Sequence, residues 1–320
     1  MLNQLYKSSP WLRARAHRVK DAATYRLARA ALGIGAHYRL ERSLAAADRL
    51  GDIAYLVLHK TRRLALGHLE LVFADQLSER RRHEIVRSSL RGFARSFCEI
   101  ANIDEIRPNL ATYITMTGWD EVAEAIREGA IACAAHLGNW ELLAVYIAEI
   151  QGKSVAAVAR RLDEPRLNQL LVDFRRGNGV ETILRDSPSA GRQILRTLKQ
   201  GGILAMLVDQ DTRVSSITVP FLGHPARTPV APATLALRRG IPIVTSYSRR
   251  RPAGGLEIVM GGPLYPDNSL TKEDAIRDLT ERVNDLLGAA ILENPDQWPW
   301  WHRRWRRPPQ PRLDPDAPID

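Results

Sequence analysis

An α/β fold, with a mostly parallel central sheet flanked by helices and an N-terminal helical region ahead of it, is what the 320-residue sequence predicts. Three observations carry this. From about residue 110 onward, short apolar runs alternate with amphipathic stretches. Most of the runs are apolar throughout, as in strands covered on both faces of a parallel sheet. Before them, the sequence is rich in Ala, Leu and Arg and follows the helical period.

Taken in order, Ala22–Ala31 and Glu41–Leu58 read as helices. In the second, Ala46, Leu50, Ile53 and Val57 recur at helical spacing. Ser78 is suited to cap a further helix, with Glu79 in its first turn. Val86, Leu90, Phe93, Phe97 and Ile100 mark one face of it, and Arg80, Arg81, Arg82, Arg87, Arg91 and Arg95 lie between. Such a helix either rests on anionic lipid or packs on a core with a solvated outer face. Ile131–Ala135 then reads as a buried strand, Asn139–Ile150 as helix and Val155–Ala159 as a second strand. Pro165 opens a helix striped by Leu167, Leu170, Leu171 and Phe174, which Gly177 and Gly179 end. Val180–Leu184 is a strand, Ser187 caps a helix through Leu198, and Ile203–Val208 and Ile241–Ser246 are strands. Leu256–Met260 is expected at a sheet edge. Thr271 caps what is predicted as the longest helix, ended by Asn294-Pro295, and the Pro-rich segment from 308 to 320 is expected to be disordered. The predicted division is a helical region at 1–105, a catalytic unit at 106–307 and this tail.

Lys and Arg outnumber Asp and Glu by 46 to 36, a net charge of +10 that favours polyanionic surfaces. No recognisable nucleic-acid-binding module accompanies that charge, so an anionic membrane is the expected partner and nucleic acid is not. The two cysteines, Cys98 and Cys133, form no Cys-x-x-Cys pair, and neither a zinc site nor a disulfide framework is expected. No run of 18 apolar residues occurs, and the segment Met1–Asp21 lacks the apolar centre of a secretory signal. The Gly-x-Ser-x-Gly elbow of α/β hydrolases is absent, as is a P-loop.

The chemistry concentrates after the first predicted sheet strand, in His136-Leu137-Gly138-Asn139-Trp140-Glu141. In a parallel sheet, ligands sit beyond the carboxyl ends of the strands, which is where His136 falls. Gly138 permits a sharp turn, Asn139 can cap the helix, and Glu141 lies in its first turn. A neutral imidazole there can take the proton of an attacking hydroxyl, with a carboxylate on its other nitrogen fixing the tautomer. Free N–H groups at the helix start offer a seat for an oxyanion or a phosphate. Asp209 and Asp211 follow the strand Ile203–Val208 and share that rim, so Glu141, Asp209 and Asp211 all remain candidates to orient His136.

These residues, together with Arg160, Leu162-Asp163-Glu164-Pro165, Asp209-Gln210-Asp211, Val219-Pro220-Phe221-Leu222-Gly223 and Gln297 to Trp305, resemble the late lipid A acyltransferases of lauroyl and myristoyl type. Phosphatidylinositol mannoside acyltransferases are relatives of that branch, which lies within the lysophospholipid and glycerolipid acyltransferases. The resemblance runs from about residue 60 to 307. It implies transfer of an acyl chain from acyl carrier protein or coenzyme A to a glycolipid hydroxyl, with no cofactor and no metal. It further implies His136 as base and Glu141 as its partner, with Arg160, Asn139, Asp209 and Asp211 at the substrate. Arg160 stands where that family carries an essential arginine, and Arg161 where many of its members carry proline. The expected location is the cytoplasmic face of the inner membrane, peripheral or weakly anchored. The Val219–Gly223 segment either joins the core or walls an acyl groove. Trp298 to Arg307 either meets lipid or docks as a C-terminal segment with Arg–Trp stacking.

Overall fold

The computed structural model describes residues 38–305, together with Tyr25 and Gly33. The predicted helix at Ala22–Ala31 lies outside the described residues apart from Tyr25, and the segment 308–320 lies outside them altogether.

Three helices open the described chain: α1 (Leu40–Val57), α2 (His59–Phe73) and α3 (Glu79–Ala101). Ser78 caps α3 as expected, its hydroxyl accepting from Arg81 N at 3.2 Å. The apolar stripe on α1, however, does not face the core. Leu50, Ile53 and Val57 are 53%, 55% and 59% exposed, and the buried positions are Ser43, Ala47 and Gly51. The reason is the closeness of α1 to α3. A Cβ on Gly51 would lie 2.5 Å from Arg91 Cα, so small residues must form the inner face. Ion pairs flank that contact. Asp52 takes Arg87 at 2.6 Å and Arg91 at 2.6 and 2.7 Å, and Asp48 takes Arg95 at 2.5 and 2.6 Å. Half of the basic positions on α3 therefore turn toward α1.

Short helical turns lead to β1 (Ile114–Thr117). Then β2 (Ala130–Ala134), α4 (Trp140–Glu149), β3 (Val155–Ala159), α5 (Pro165–Gly177), β4 (Val180–Leu184), α6 (Ala190–Lys199) and β5 (Ile203–Leu207) alternate. A hairpin of β6 (Ser216–Phe221) and β7 (His224–Pro229) follows, then α7 (Ala231–Arg239), β8 (Ile243–Arg250), β9 (Leu256–Leu264) and α8 (Lys272–Glu293). The main sheet has seven strands in the order β1-β9-β8-β2-β5-β3-β4. Every neighbouring pair in it is parallel except β8 with β9. The predicted α/β class and mostly parallel sheet are thus observed, and two details change. Strand β9 is interior, because β1, unread in the sequence, pairs along its outer side. Helix α6 begins at Ala190, since Ser187 Oγ closes a turn on Ser189 N ahead of it. Thr271 caps α8 by accepting from Asp274 N, and this 22-residue helix is one residue shorter than α3 at 23.

Each sheet face carries its own core. On one face, Leu69, Ile85 and Val86 from the N-terminal helices pack with Val283, Trp298 and Trp300. On the other, α4 contributes Leu142, Val145 and Ile147. Among the described residues, no helix is long and apolar enough to cross a membrane.

Candidate active site

Sheet register builds the site. Strands β2 and β5 are adjacent and parallel, with Ala134 opposite Leu207. Two positions further along each strand stand His136 and Asp209, so the pairing delivers an imidazole and a carboxylate to the same point on the rim. His136 Nδ1 meets Asp209 Oδ1 at 2.7 Å, and the His136 backbone N–H donates to Oδ2 at 2.8 Å. Trp298 Nε1 donates to the same Oδ2 at 2.7 Å.

Asp209 is fully buried. Burial pushes its carboxyl up, but the charge that His136 carries when protonated and the hydrogen bonds from His136 and the Trp298 indole outweigh that and hold it below the ordinary carboxylate range. An ionised Asp209 on Nδ1 fixes the neutral ring with its proton on that nitrogen. Nε2 is then the basic nitrogen. The His136 side chain keeps 18% exposure and packs edge-on against Trp140, with ring centroids 4.8 Å apart.

The turn that carries the histidine is clamped from behind. Gly138 has φ +61, and a Cβ there would lie 2.3 Å from the Ser248 carbonyl oxygen. Ser248 Oγ accepts from Asn139 N at 2.7 Å and donates to Leu137 O at 3.1 Å. Asn139 caps α4 by accepting from Leu142 N at 3.2 Å. Its amide nitrogen donates to Glu99 Oε2 at 2.8 Å. The Asn139 side chain therefore holds the loop rather than reaching for a substrate. The N–H groups of Gly138, Asn139 and Leu142 all have protein partners, which reduces the anion seat expected at this helix start.

Glu141 does not turn back onto the histidine. Its two oxygens take Arg175 Nε and Nη2 at 2.8 and 2.7 Å, in a pair with both side chains about 8% exposed. Arg175, near the end of α5, brings a guanidinium fork to the carboxylate at the start of α4. Asp211 is buried as well. It acts electrostatically on His302 and Arg304 of the C-terminal segment, whereas the imidazole nitrogen is held by Asp209. Arg160 follows β3 on the same rim and pairs with Asp163 at 2.8 Å, and Arg161 pairs with Asp186 at 2.9 Å.

A cavity of about 770 Å³ opens at this rim. His136, Trp140, Arg160 and Arg175 share its wall with apolar side chains such as Phe97, Leu143, Ile147 and Leu171. Among the described residues no cluster of His, Cys, Asp or Glu is placed to hold a metal. The Val219–Gly223 segment belongs to the core rather than to this wall, with Val219 and Phe221 at 2% and 1% exposure. The C-terminal segment is docked. Trp298 and Trp300 are fully buried, and Arg304 stacks 4.4 Å over Phe221 rather than over a tryptophan.

Several residues at the site were not read from the sequence in these roles, Ser248, Glu99, Trp298 and Arg175 among them. Trp298 was seen as a tryptophan in an Arg-rich run, and nothing local indicates its hydrogen bond to Asp209. Arg175 carried a usable signal. It stands four positions after Leu171 and next to Phe174, a charge on an apolar stripe, where burial demands a partner.

Comparison with known proteins points to one family. The family model for bacterial lipid A biosynthesis acyltransferases matches residues 40–307. A phosphatidylinositol mannoside acyltransferase of Mycobacterium tuberculosis (strain CDC 1551 / Oshkosh) is 25% identical over 191 residues, which spans 58% of this chain and only 57% of the relative. The protein of that name from strain H37Rv is 24% identical over 229 residues, 68% of this chain and 69% of its own. The lipid A biosynthesis lauroyltransferase of Escherichia coli K12 is 25% identical over 268 residues, 82% of this chain and 84% of the relative.

Proposed function

This chain belongs to the bacterial lipid A biosynthesis acyltransferases, and from that membership we propose that it moves a fatty acyl chain from a thioester donor to a hydroxyl of a membrane glycolipid. The acceptor we favour is a lipid A precursor, and the donor is acyl carrier protein or coenzyme A carrying the acyl group. The observation that carries the reading is the His136–Asp209 pair set into the wall of a largely apolar cavity.

Catalysis begins with the acceptor hydroxyl at His136 Nε2, which takes its proton as the oxygen attacks the thioester carbonyl. Asp209, ionised and buried, stabilises the imidazolium that forms. Collapse of the tetrahedral intermediate releases the thiolate, which receives the proton back from the ring. The apolar wall accommodates the acyl chain, because such a chain requires a surface without charge. Arg175 is held through Nε and Nη2 by Glu141 in that wall, and its remaining nitrogen, Nη1, is a donor for the developing oxyanion. Arg160 supports substrate charge from the rim.

A phosphatidylinositol mannoside acceptor is the second reading, favoured by the mycobacterial relatives. A lysophospholipid is the third. The test is incubation of purified protein with acyl-coenzyme A and with acyl-acyl carrier protein against each acceptor, with mass spectrometry of the lipids. One added acyl chain on the glycolipid, absent with His136→Ala, is the expected result. Acylation of lysophospholipid alone would refute the glycolipid assignment.

A further inference from the structure

Sheet register makes a second pairing on the same rim. Strands β3 and β4 are adjacent and parallel, with Ala159 opposite Leu184, and Arg185 N donates to Ala159 O at 3.0 Å. One position beyond that register stand Arg160 and Arg185, and both line the cavity that holds His136. Two guanidinium groups thus sit side by side at strand carboxyl ends, the position where parallel sheets bind ligands.

Their partners differ. Arg160 is 56% exposed and holds Asp163, itself 81% exposed, an ion pair that solvent screens and an incoming anion can exchange. Arg185 is half-buried, and among the described residues its side chain makes no hydrogen bond and no ion pair at contact distance. The adjacent carboxylate, Asp186, is bound to Arg161 at 2.9 Å and reaches Arg185 only through its charge. Burial pushes the Arg185 guanidinium down, the charge of Arg160 pushes it in the same direction, and the charge of Asp186 opposes part of the shift. A partly desolvated arginine that faces a cavity beside a second positive charge lowers the free energy of whatever anion enters between them.

We propose that Arg160 and Arg185 form a two-arginine seat for a phosphate group of one of the substrates, Arg185 being the anchor of that seat. The proposal rests on the acyltransferase reading and adds to it a second charged contact that the reading does not require. A phosphate matches the geometry, since planar guanidinium groups donate in parallel to its oxygens. Two sources supply one: the pantetheine-phosphate arm of the thioester donor and the phosphorylated head of the acceptor lipid.

The experiment compares Arg185→Ala and Arg185→Lys with the unaltered protein, using paired substrates. The donors are acyl-coenzyme A and its phosphate-free counterpart, acyl-pantetheine. The acceptors are a glycolipid with and without its phosphate. A donor seat predicts that Arg185→Ala lowers kcat/KM for acyl-coenzyme A by roughly tenfold to a hundredfold, mostly through KM, with little effect on acyl-pantetheine. An acceptor seat predicts the same selective loss for the phosphorylated acceptor only. Arg185→Lys keeps the charge but loses the fork, and it recovers part of the loss in either case. Equal loss with and without phosphate on both substrates, or no loss at all, would overturn the seat. Should no lipid be acylated, titration of coenzyme A and of inorganic pyrophosphate into the protein still decides the matter. Binding that Arg185→Ala weakens supports the seat while the acyltransferase reading fails, and binding unaffected by the substitution refutes the seat.

Discussion

A buried carboxylate stays ionised only while its hydrogen bonds hold it, and Asp209 accepts three, two from His136 and one from Trp298. Asp209→Asn preserves the shape but allows the amide to impose the wrong tautomer on His136. By comparison with the same change in a serine-protease triad, transfer should fall roughly 10³- to 10⁴-fold with the fold intact. Initial rates with a labelled acyl donor measure this, and a loss below tenfold would remove Asp209 from its role. Glu141 makes a different prediction. Glu141→Ala strands the Arg175 charge in the cavity wall and should cost about 3–5 kcal/mol of stability. The double variant Glu141→Leu, Arg175→Met should recover most of that in urea unfolding while turnover stays low, since the Arg175 Nη1 donor is gone. Recovery of both would make the pair purely structural. The sequence made His136 legible because an apolar strand ran straight into it. It could not choose among three carboxylates, because Asp209 reaches the ring across 73 positions of chain through strand pairing that a local pattern does not encode. His302 adds a pH effect. Burial pushes it down to about 4, whereas an unfolded histidine titrates near 6.5. Between those values the unfolded chain holds the extra proton, so stability falls as pH drops from about 6.5 and the loss is complete below about 4. Urea midpoints across that window should slope less steeply in His302→Asn, and an unchanged slope would contradict the assignment.

At the scale of elements, the loop between β2 and α4 must stay rigid for the imidazole to be of use. Gly138 and Gly152 share a φ of +61, but a Cβ would strike the Ser248 backbone oxygen at Gly138 and meet open space at Gly152. Gly152→Ala should therefore cost only the left-handed strain, about 1–2 kcal/mol. Gly138→Ala should cost more in thermal unfolding and also reduce transfer, because the turn that places His136 has to move. Equal destabilisation by the two would show that Ser248 does not clamp the loop. The strands β2, β3 and β5 were readable since each is a continuous apolar run, and β4 was readable because Val180, Ile183 and Leu184 follow Gly179. Strand β1 escaped because Ile114-Thr115-Met116-Thr117 is short and half polar, and its identity comes from pairing with β9. The β6–β7 hairpin escaped for another reason. Pro220, Pro225 and Pro229 argue against strand, yet a two-stranded hairpin tolerates proline where no ladder bond is needed.

For the whole molecule, the question is how a chain without a spanning helix among its described residues would reach the proposed lipid acceptor. Helix α1 turned its small residues inward, so Leu50, Ile53, Leu56 and Val57 face outward at 53%, 55%, 61% and 59% exposure. The stripe that the helical period identifies is real, and it faces outward because close approach to α3 selects for size rather than for hydrophobicity. Phe93 and Phe97, at 37% and 48% exposure, stand at the cavity wall as well. With a net charge of +10, the proposed membrane contact has two separable parts. The electrostatic part contributes about 1 kcal/mol per basic residue near an anionic surface, and a Debye length that shrinks from about 10 Å at 0.1 M salt to about 3 Å at 1 M removes it. The apolar part scales with area at about 25 cal/mol per Å² and resists salt. Co-sedimentation with anionic vesicles should therefore be strong at low salt and reduced but not abolished at high salt. Ile53→Glu with Leu56→Glu should remove the salt-resistant remainder while leaving soluble-donor hydrolysis at the His136 site unchanged. A protein that ignores anionic vesicles at low salt would place the lipid-facing surface elsewhere, and α1 would then need another partner for its apolar side.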